Sequence, residues 1–131
     1  MPQLPQDRYG LSHSLFATPK RANESVVIGG LADDERRWIR IVSYRAAQLL
    51  WLTLTQLLYP DELAEATAFA STAPMRSADL PTITTHIHVA DKEGDLIEFV
   101  GFAGRTPIWS ADIRKEEARR LCQSLAKLFQ P

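Results

Sequence analysis

The chain has 131 residues, of which 45% are hydrophobic and 24% are charged. A chain of this length is enough for one domain that buries roughly two-thirds of its unfolded surface. Lysine and arginine number 15 against 16 aspartate and glutamate residues, for a net charge of −1. The basic surplus that non-specific binding to nucleic acid or an anionic membrane requires is therefore missing, and we expect an ordinary globular protein.

Cysteine content and the terminal residues restrict the class further. Cys122 is the only cysteine, which excludes an intramolecular disulfide and a multi-cysteine zinc site. Residues 1–10 lack the basic and apolar segments of a signal peptide. The most apolar run, residues 46–59, is too short to span a bilayer. The sequence therefore predicts a cytoplasmic protein that does not contact a membrane.

The first half of the chain is predicted to form an N-terminal arm, three strands and a helix. Pro2 and Pro5 disfavour a helical start, so residues 1–11 are expected to form the arm. Residues 36–44 alternate between two faces, which favours a strand, and the alternative is the start of a long helix. The predicted elements are strands at residues 11–18, 25–31 and 36–44 and a helix at residues 45–59.

The second half is predicted to repeat this order after a helical linker. Acids in the first turn of residues 60–73 favour an amphipathic helix there, and a connector follows at residues 74–81. Pro107 requires an edge position or a strand start. The remaining predicted elements are strands at residues 82–90, 95–104 and 106–113 and a final helix at residues 114–129.

The two halves also resemble each other in sequence. Residues 14–60 align without a gap with residues 85–131, as an internal repeat would; the alternative is a likeness due only to a shared element order. The identical pairs are Gly30/Gly101, Ala32/Ala103, Trp38/Trp109, Ala47/Ala118, Leu50/Leu121, Leu54/Leu125, Leu57/Leu128 and Pro60/Pro131.

This layout predicts an α+β fold in which tandem β-β-β-α units form an antiparallel sheet with helices packed on one face. All the predicted elements belong to a single domain, residues 1–131. Its parts are the arm at residues 1–11, a first unit at residues 12–60, a helical linker at residues 61–80 and a second unit at residues 81–131.

Two hairpin segments carry this layout, SVVIGGLADDERRWIRIVSY (residues 25–44) and DLIEFVGFAGRTPIWSADI (residues 95–113), and each leads into an apolar helix. In this order of elements the chain resembles the bacterial YbjN and type III secretion chaperone-like group, from about residue 12 to residue 131. The resemblance implies dimerisation and the binding of a client protein. That group opens with a helix, from which the proline-containing start departs, and the resemblance assigns no functional residue.

The pair His86 and His88 raises the question of a metal site. Both lie on the strand face opposite Ile87, and a hairpin loop at residues 92–94 would set His88 opposite Glu98. Two imidazoles and a carboxylate are ligands for zinc or non-haem iron. The three form a nearly flat array, however, so a solvated cross-strand His–Glu pair is the main interpretation. A metal-dependent enzyme is the third functional hypothesis.

Apolar residues that share or extend these faces point to a partner surface. Leu96, Val100 and Phe102 lie on the histidine face of their strand, which suits a protein interface or contact with the 60–73 helix. Trp51 and Leu52 lie outside the main stripe of the first long helix. That helix therefore needs a second cover, either the 60–73 helix or another copy of the chain.

The sequence thus predicts a non-enzymatic protein-binding module, an adaptor, assembly factor or chaperone-like protein without a cofactor. We expect it to pair with itself and with an unidentified protein partner. The alternative is a single-stranded nucleic-acid binder that stacks bases on Trp38, Trp109 and Tyr44 beside Arg40. The competing interpretation of the two tryptophans is that they fill core pockets. No phosphate-loop, dinucleotide or serine-hydrolase motif is present.

Overall fold

The computed structural model describes residues 4–21, 24–69 and 83–130. Within these ranges it has six strands, three α-helices and one 3₁₀ turn. In chain order they are β1 (Asp7–Arg21), β2 (Ser25–Ala32), β3 (Arg37–Ser43), α1 (Tyr44–Leu58), the 3₁₀ turn (Pro60–Glu62), α2 (Leu63–Phe69), β4 (His86–Asp91), β5 (Leu96–Ala103), β6 (Thr106–Arg114) and α3 (Lys115–Phe129).

Most predicted elements are confirmed, with two differences at their boundaries. β3 is a strand and not the start of a long helix. The expected arm is wrong for residues 7–11, because β1 begins at Asp7, where it pairs with Trp109 of β6. The helix predicted at residues 60–73 is divided into a 3₁₀ turn and α2. Its last residues and the connector at residues 74–81 lie outside the described part of the chain.

The strands form one sheet in the order β3-β2-β1-β6-β5-β4. Each half is an antiparallel meander, but β1 and β6 are parallel where they join the halves. The sheet is therefore mixed, which corrects the predicted antiparallel sheet. Alternating side chains distinguish the faces of a strand but do not reveal which strands of two meanders become neighbours.

One parallel bridge brings the two edges of the sheet together. It joins Val42 of β3 to Thr84, which precedes β4. The Ser43 amide donates to the Thr84 carbonyl at 2.9 Å, and the Thr84 amide donates to the Ile41 carbonyl at 2.9 Å. The sheet is consequently curled at this end, with an inner face and an outer face.

The inner face carries the core together with α1 and α3. Alternate strand residues are buried there, Ile28, Ile97 and Ile113 among them, and Leu54 and Leu125 of the helices are fully buried in the same cluster. Burial of each such side chain contributes about 1.5–3 kcal/mol. The Ser43 hydroxyl accepts from the Ala46 amide at 3.2 Å, which caps α1 where β3 ends.

Two tryptophans meet inside the curled sheet. The rings of Trp38 and Trp109 are 5.4 Å apart between centroids. The Trp38 indole donates to the Ser12 hydroxyl at 3.0 Å, and the Trp109 indole donates to the Thr84 hydroxyl at 2.9 Å. Both tryptophans are buried, which confirms the prediction that they fill the core.

Gly101 makes room for one of these rings. It lies opposite Trp109 in the β5–β6 register. A Cβ at Gly101 would be 2.6 Å from Trp109 Cδ1, well inside van der Waals contact. The glycine is therefore required by packing.

Candidate functional site

The outer face of the first meander carries the largest exposed apolar side chains of the sheet. The pairing register aligns Phe16 of β1, Gly29 of β2 and Ile39 of β3 in one row. Phe16 is 40% exposed and Ile39 is 63% exposed. We call this surface the outer patch; its members, which share the outer face by strand alternation, are Phe16, Val27, Gly29, Leu31, Ile39 and Ile41.

Gly29 keeps the outer patch nearly flat. A Cβ at this position would be 2.8 Å from Phe16 Cζ and 2.9 Å from Ile39 Cγ2. The two large side chains therefore lie over the glycine from its two sides and leave no gap for a third. A contiguous apolar surface with little relief is suited to packing against another flat surface.

Exposed charged residues mark the two ends of the outer patch. The turn between β2 and β3 exposes Asp33, Asp34 and Glu35. Arg36 donates to Asp34, and this pairing lowers the pKa of the Asp34 carboxyl. At the other end of β2, Lys20 is exposed beside the turn between β1 and β2. Arg36 and Arg37 are exposed beside the acidic residues, and Glu24 is exposed near Lys20, so each end of the patch carries charges of both signs.

The outer face of the second meander holds the predicted partner residues Leu96, Val100 and Phe102. All three are half-buried, so they expose less apolar surface than Phe16 and Ile39. In the β5–β6 register Val100 lies opposite Ser110, a polar residue on the neighbouring strand. The structure thus separates these residues from the outer patch by a strand with polar outer side chains.

An ion-pair cluster lies across β5 and β6 on this outer face. Glu98 lies opposite Asp112 across β5 and β6, and Lys92 Nζ is 3.5 Å and 3.3 Å from their respective carboxylates. The hydrogen bond and charge of Asp112, aided by Glu98, raise the pKa of the Lys92 ammonium. The lysine offsets two like charges that would otherwise repel across the strands.

The register predicted for the histidine hairpin is wrong by two residues. His88 lies opposite Val100 and His86 opposite Phe102, while Glu98 lies opposite Ala90. The difference arises because the Lys92 amide donates to the Leu96 carbonyl, which places the loop one residue later than expected. A shift of two preserves the faces of a strand, so both histidines still face outward.

The histidines do not form a metal site with Glu98. Both imidazoles are exposed, so α2 does not cover them, and the His86 ring lies 5.9 Å from the Phe102 ring. Among residues 4–21, 24–69 and 83–130 no group of three potential ligands converges. The chain's described residues therefore offer no metal centre here.

Trp51 and Leu52 of the predicted partner surface lie elsewhere. Trp51 is 2% exposed and stacks on Phe129 of α3, with ring centroids 5.4 Å apart. It therefore belongs to the interior, which corrects its placement on the surface, and Leu52 is half-buried. The second cover of α1 is α3 together with Ala66 of α2, a contact that the sequence pattern of α1 did not specify.

The two tryptophans predicted for base stacking are not available to a nucleic acid, and Tyr44 is half-buried. Trp109 is fully buried and Trp38 is 4% exposed, with Tyr9 stacked on it at 4.7 Å between centroids. Arg40 donates to the Asp7 carboxylate at 3.0 Å and to the Tyr9 hydroxyl at 3.3 Å. Stacking on an open strand needs exposed rings, which these residues do not supply.

A cavity of about 330 Å³ lies on the far side of the helices, bounded by α1, the 3₁₀ turn, α2 and α3. At its floor, the Thr55 hydroxyl donates to the Trp51 carbonyl at 2.8 Å and lies 3.6 Å from Cys122 Sγ. Burial raises the pKa of the Cys122 thiol, so the floor is neutral. The lining residues are Trp51, Thr55, Tyr59, Glu62, Glu65, Ala66, Cys122, Gln123, Ala126 and Gln130.

Comparison with known proteins finds no family model, no curated protein and no solved structure that matches the chain. The resemblance to the YbjN and secretion chaperone-like group accordingly remains a prediction. None of the helices within the described ranges is long and apolar enough to cross a bilayer. The described residues offer two surfaces for binding, the outer patch and the cavity.

Proposed function

We propose that the protein is a protein-binding module that associates through the outer patch, and that its first partner is a second copy of the same chain. The observation that carries the proposal is the exposure of Ile39 and Phe16, at 63% and 40%, on the two sides of Gly29. Isolated exposed apolar residues are common on proteins. A contiguous apolar surface rimmed by charge is typical of an interface.

Charge complementarity favours a second copy over an unrelated protein. A two-fold axis parallel to the sheet, perpendicular to its strands and passing over Gly29 would lay two outer patches face to face and exchange their two ends. Lys20 of each copy would then approach Asp33 and Glu35 of the other. Two-fold contacts of this kind use the same surface on both subunits and close after two copies, so the arrangement predicts a dimer.

The size of the outer patch predicts reversible association. A patch of this kind offers roughly 300–600 Å², whereas standard stable interfaces bury about 800 Å² on each partner. The free energy available is therefore limited after the cost of association is met. We expect a dissociation constant in the range of roughly 10 µM to 1 mM.

Sedimentation equilibrium of the full chain over a wide concentration range tests this proposal. The variant Ile39→Asp puts a charge at the centre of the outer patch and should weaken the dimer at least about tenfold. Leu49→Asp is the matched control, because Leu49 is 43% exposed on α1, outside the patch. A chain that stays monomeric at about 1 mM, or equal effects of the two substitutions, would contradict the proposal.

We further infer that the dimer is built from subunits that each contain two copies of a β-β-β-α unit. Gly30 lies opposite Trp38 in one meander, as Gly101 lies opposite Trp109 in the other. Each tryptophan donates its indole proton to a hydroxyl at the first strand of its own half, Ser12 or Thr84. These correspondences involve side-chain roles as well as element order.

A symmetrised chain tests the repeat. Two copies of residues 83–131, joined by the native residues 61–82, should unfold cooperatively and retain a strand-rich circular dichroism spectrum. The reciprocal chain, built from two copies of residues 4–60, is the second variant. Failure of both chains to unfold cooperatively would contradict the inference that the halves are equivalent.

A further inference from the structure

The cavity between the helices is acidic. Glu62 and Glu65 are its only lining residues that carry a charge at neutral pH, and no lysine or arginine lines it within the described ranges. Neither carboxylate has an ion-pair or hydrogen-bond partner among the described residues. The last turn of α1, which ends beside the cavity, has no basic residue either. The negative end of the α1 dipole therefore adds to the two carboxylates, whereas the positive N-terminal ends of the 3₁₀ turn and α2, in whose first turns Glu62 and Glu65 lie, offset part of their charge.

The uncharged part of the cavity is suited to a short carbon chain. Tyr59, directly after α1, supplies aromatic surface, whereas Trp51 is only 2% exposed and adds little, and Ala66 and Ala126 add small apolar side chains from α2 and α3. Its volume of about 330 Å³ lies at the small end of ligand sites, which usually combine apolar walls with a few polar groups. Aromatic walls beside carboxylates are favourable for an organic cation.

The neutral floor restricts where the cation would lie. Thr55 already donates its proton to the Trp51 carbonyl, so it has only acceptor capacity left, which the Cys122 thiol uses. The Glu62 carboxylate acts with burial to raise the pKa of that thiol. The field of the acidic side therefore extends to the floor, while the carboxylates themselves remain solvated.

We propose that this cavity binds a small organic cation, an alkylammonium or guanidinium group on a short chain. Glu62 and Glu65 hold the charged group at the acidic side, and Tyr59 contacts its carbon chain. The same chemistry occurs in a free amine and in the side chain of a lysine or arginine. The site is independent of the outer patch, because no strand residue lines it.

Two-dimensional ¹H–¹⁵N NMR of the full chain tests the proposal, with butylammonium and agmatine as free probes and neutral butanol as the uncharged analogue. Both cations should give saturable shifts confined to residues 51–66 and 122–130, and butanol should not. A short tripeptide with a central lysine and blocked ends provides the second arm. Tighter binding of the peptide than of butylammonium would assign the site to a protein side chain, and weaker binding to a free amine.

Charge-neutral variants separate specific binding from general attraction. Glu62→Gln and Glu65→Gln should each weaken butylammonium binding about tenfold or more. Asp61→Asn is the matched control, because Asp61 adjoins Glu62 but does not line the cavity, and it should weaken binding less than about twofold. Shifts that do not saturate at about 50 mM, or an equal effect of all three substitutions, would overturn the proposal.

Discussion

The substitution Gly101→Ala tests the packing at the centre of the curled sheet. The added Cβ would be 2.6 Å from Trp109 Cδ1, and the Nε1 and Cε2 atoms of the same ring would be nearer still. These atoms belong to a ring that is fully buried, so it cannot turn toward solvent. The ring must shift away from β5, and its hydrogen bond to Thr84 is then lost.

The magnitude follows from the separate effects. Overpacking a close-packed interior costs about 1–3 kcal/mol. Breaking the bond between the indole and the buried Thr84 hydroxyl adds about 1–3 kcal/mol. The loss of glycine flexibility in the unfolded chain offsets these by about 0.4–1 kcal/mol. We therefore expect Gly101→Ala to lower the free energy of unfolding by about 1–5.5 kcal/mol, a substantial part of the usual 5–15 kcal/mol.

Gly30→Ala is the matched control in the other meander. A Cβ at Gly30 would meet Leu15 Cδ2 at 2.5 Å, the His13 backbone carbonyl oxygen at 3.1 Å and Trp38 Cζ2 only at 3.6 Å. Because Leu15 Cδ2 is the end of a flexible side chain, we expect a cost of about 1–2 kcal/mol. Urea denaturation followed by tryptophan fluorescence measures both variants. The reasoning is refuted if Gly101→Ala is within about 1 kcal/mol of the unmodified protein, or no less stable than Gly30→Ala.

Two further predictions concern buried polar groups. Trp109→Phe should lower the free energy of unfolding by about 2–4 kcal/mol and Trp38→Phe by about 1–2 kcal/mol. The reason is that Thr84 loses its indole donor, whereas Ser12 still donates to a backbone carbonyl. Equal losses in urea denaturation would contradict this. Burial raises the pKa of the Cys122 thiol. The stability that the buried, protonated thiol contributes is therefore complete below the unfolded pKa of about 8.5 and is lost as the pH rises through the folded value. The free energy of unfolding should therefore fall more between about pH 7 and pH 10 than in Cys122→Ala, and parallel pH profiles would contradict the assignment.

Alternation and glycine placement predicted the individual strands, but the assembly of the sheet was not predictable in the same way. The pattern around Trp38 distinguished β3 from a helix because a strand has a period of two and a helix does not. The parallel pairing of β1 with β6 involves residues far apart in the chain, such as Leu11 and Asp112. No local pattern encodes such a contact, since either end of a meander can become the central strand.

The same limit explains the errors in the candidate site. Trp51 was placed on a surface because α1 is apolar on more than one side, and a helical pattern shows that a second cover exists without showing which element supplies it. The histidine register was wrong because the position of a three-residue loop was chosen one residue early around Gly94. The signal for the outer patch was present, since Ile39 and Ile41 alternate with Trp38 and Val42, but which face is covered depends on the helices.

The layered arrangement makes the two proposed functions separable. The outer patch lies on the sheet face that is remote from the helices, whereas the cavity lies beyond α1 and α3, on the opposite side of the core. Close-packed interiors transmit strain but not surface charge, so Ile39→Asp should leave butylammonium binding unchanged and Glu62→Gln should leave the dimer unchanged. Loss of both activities in either variant would indicate that the core itself had altered, which cooperative urea unfolding of the same sample would reveal. Dimerisation and cation binding can therefore each fail without affecting the argument for the other.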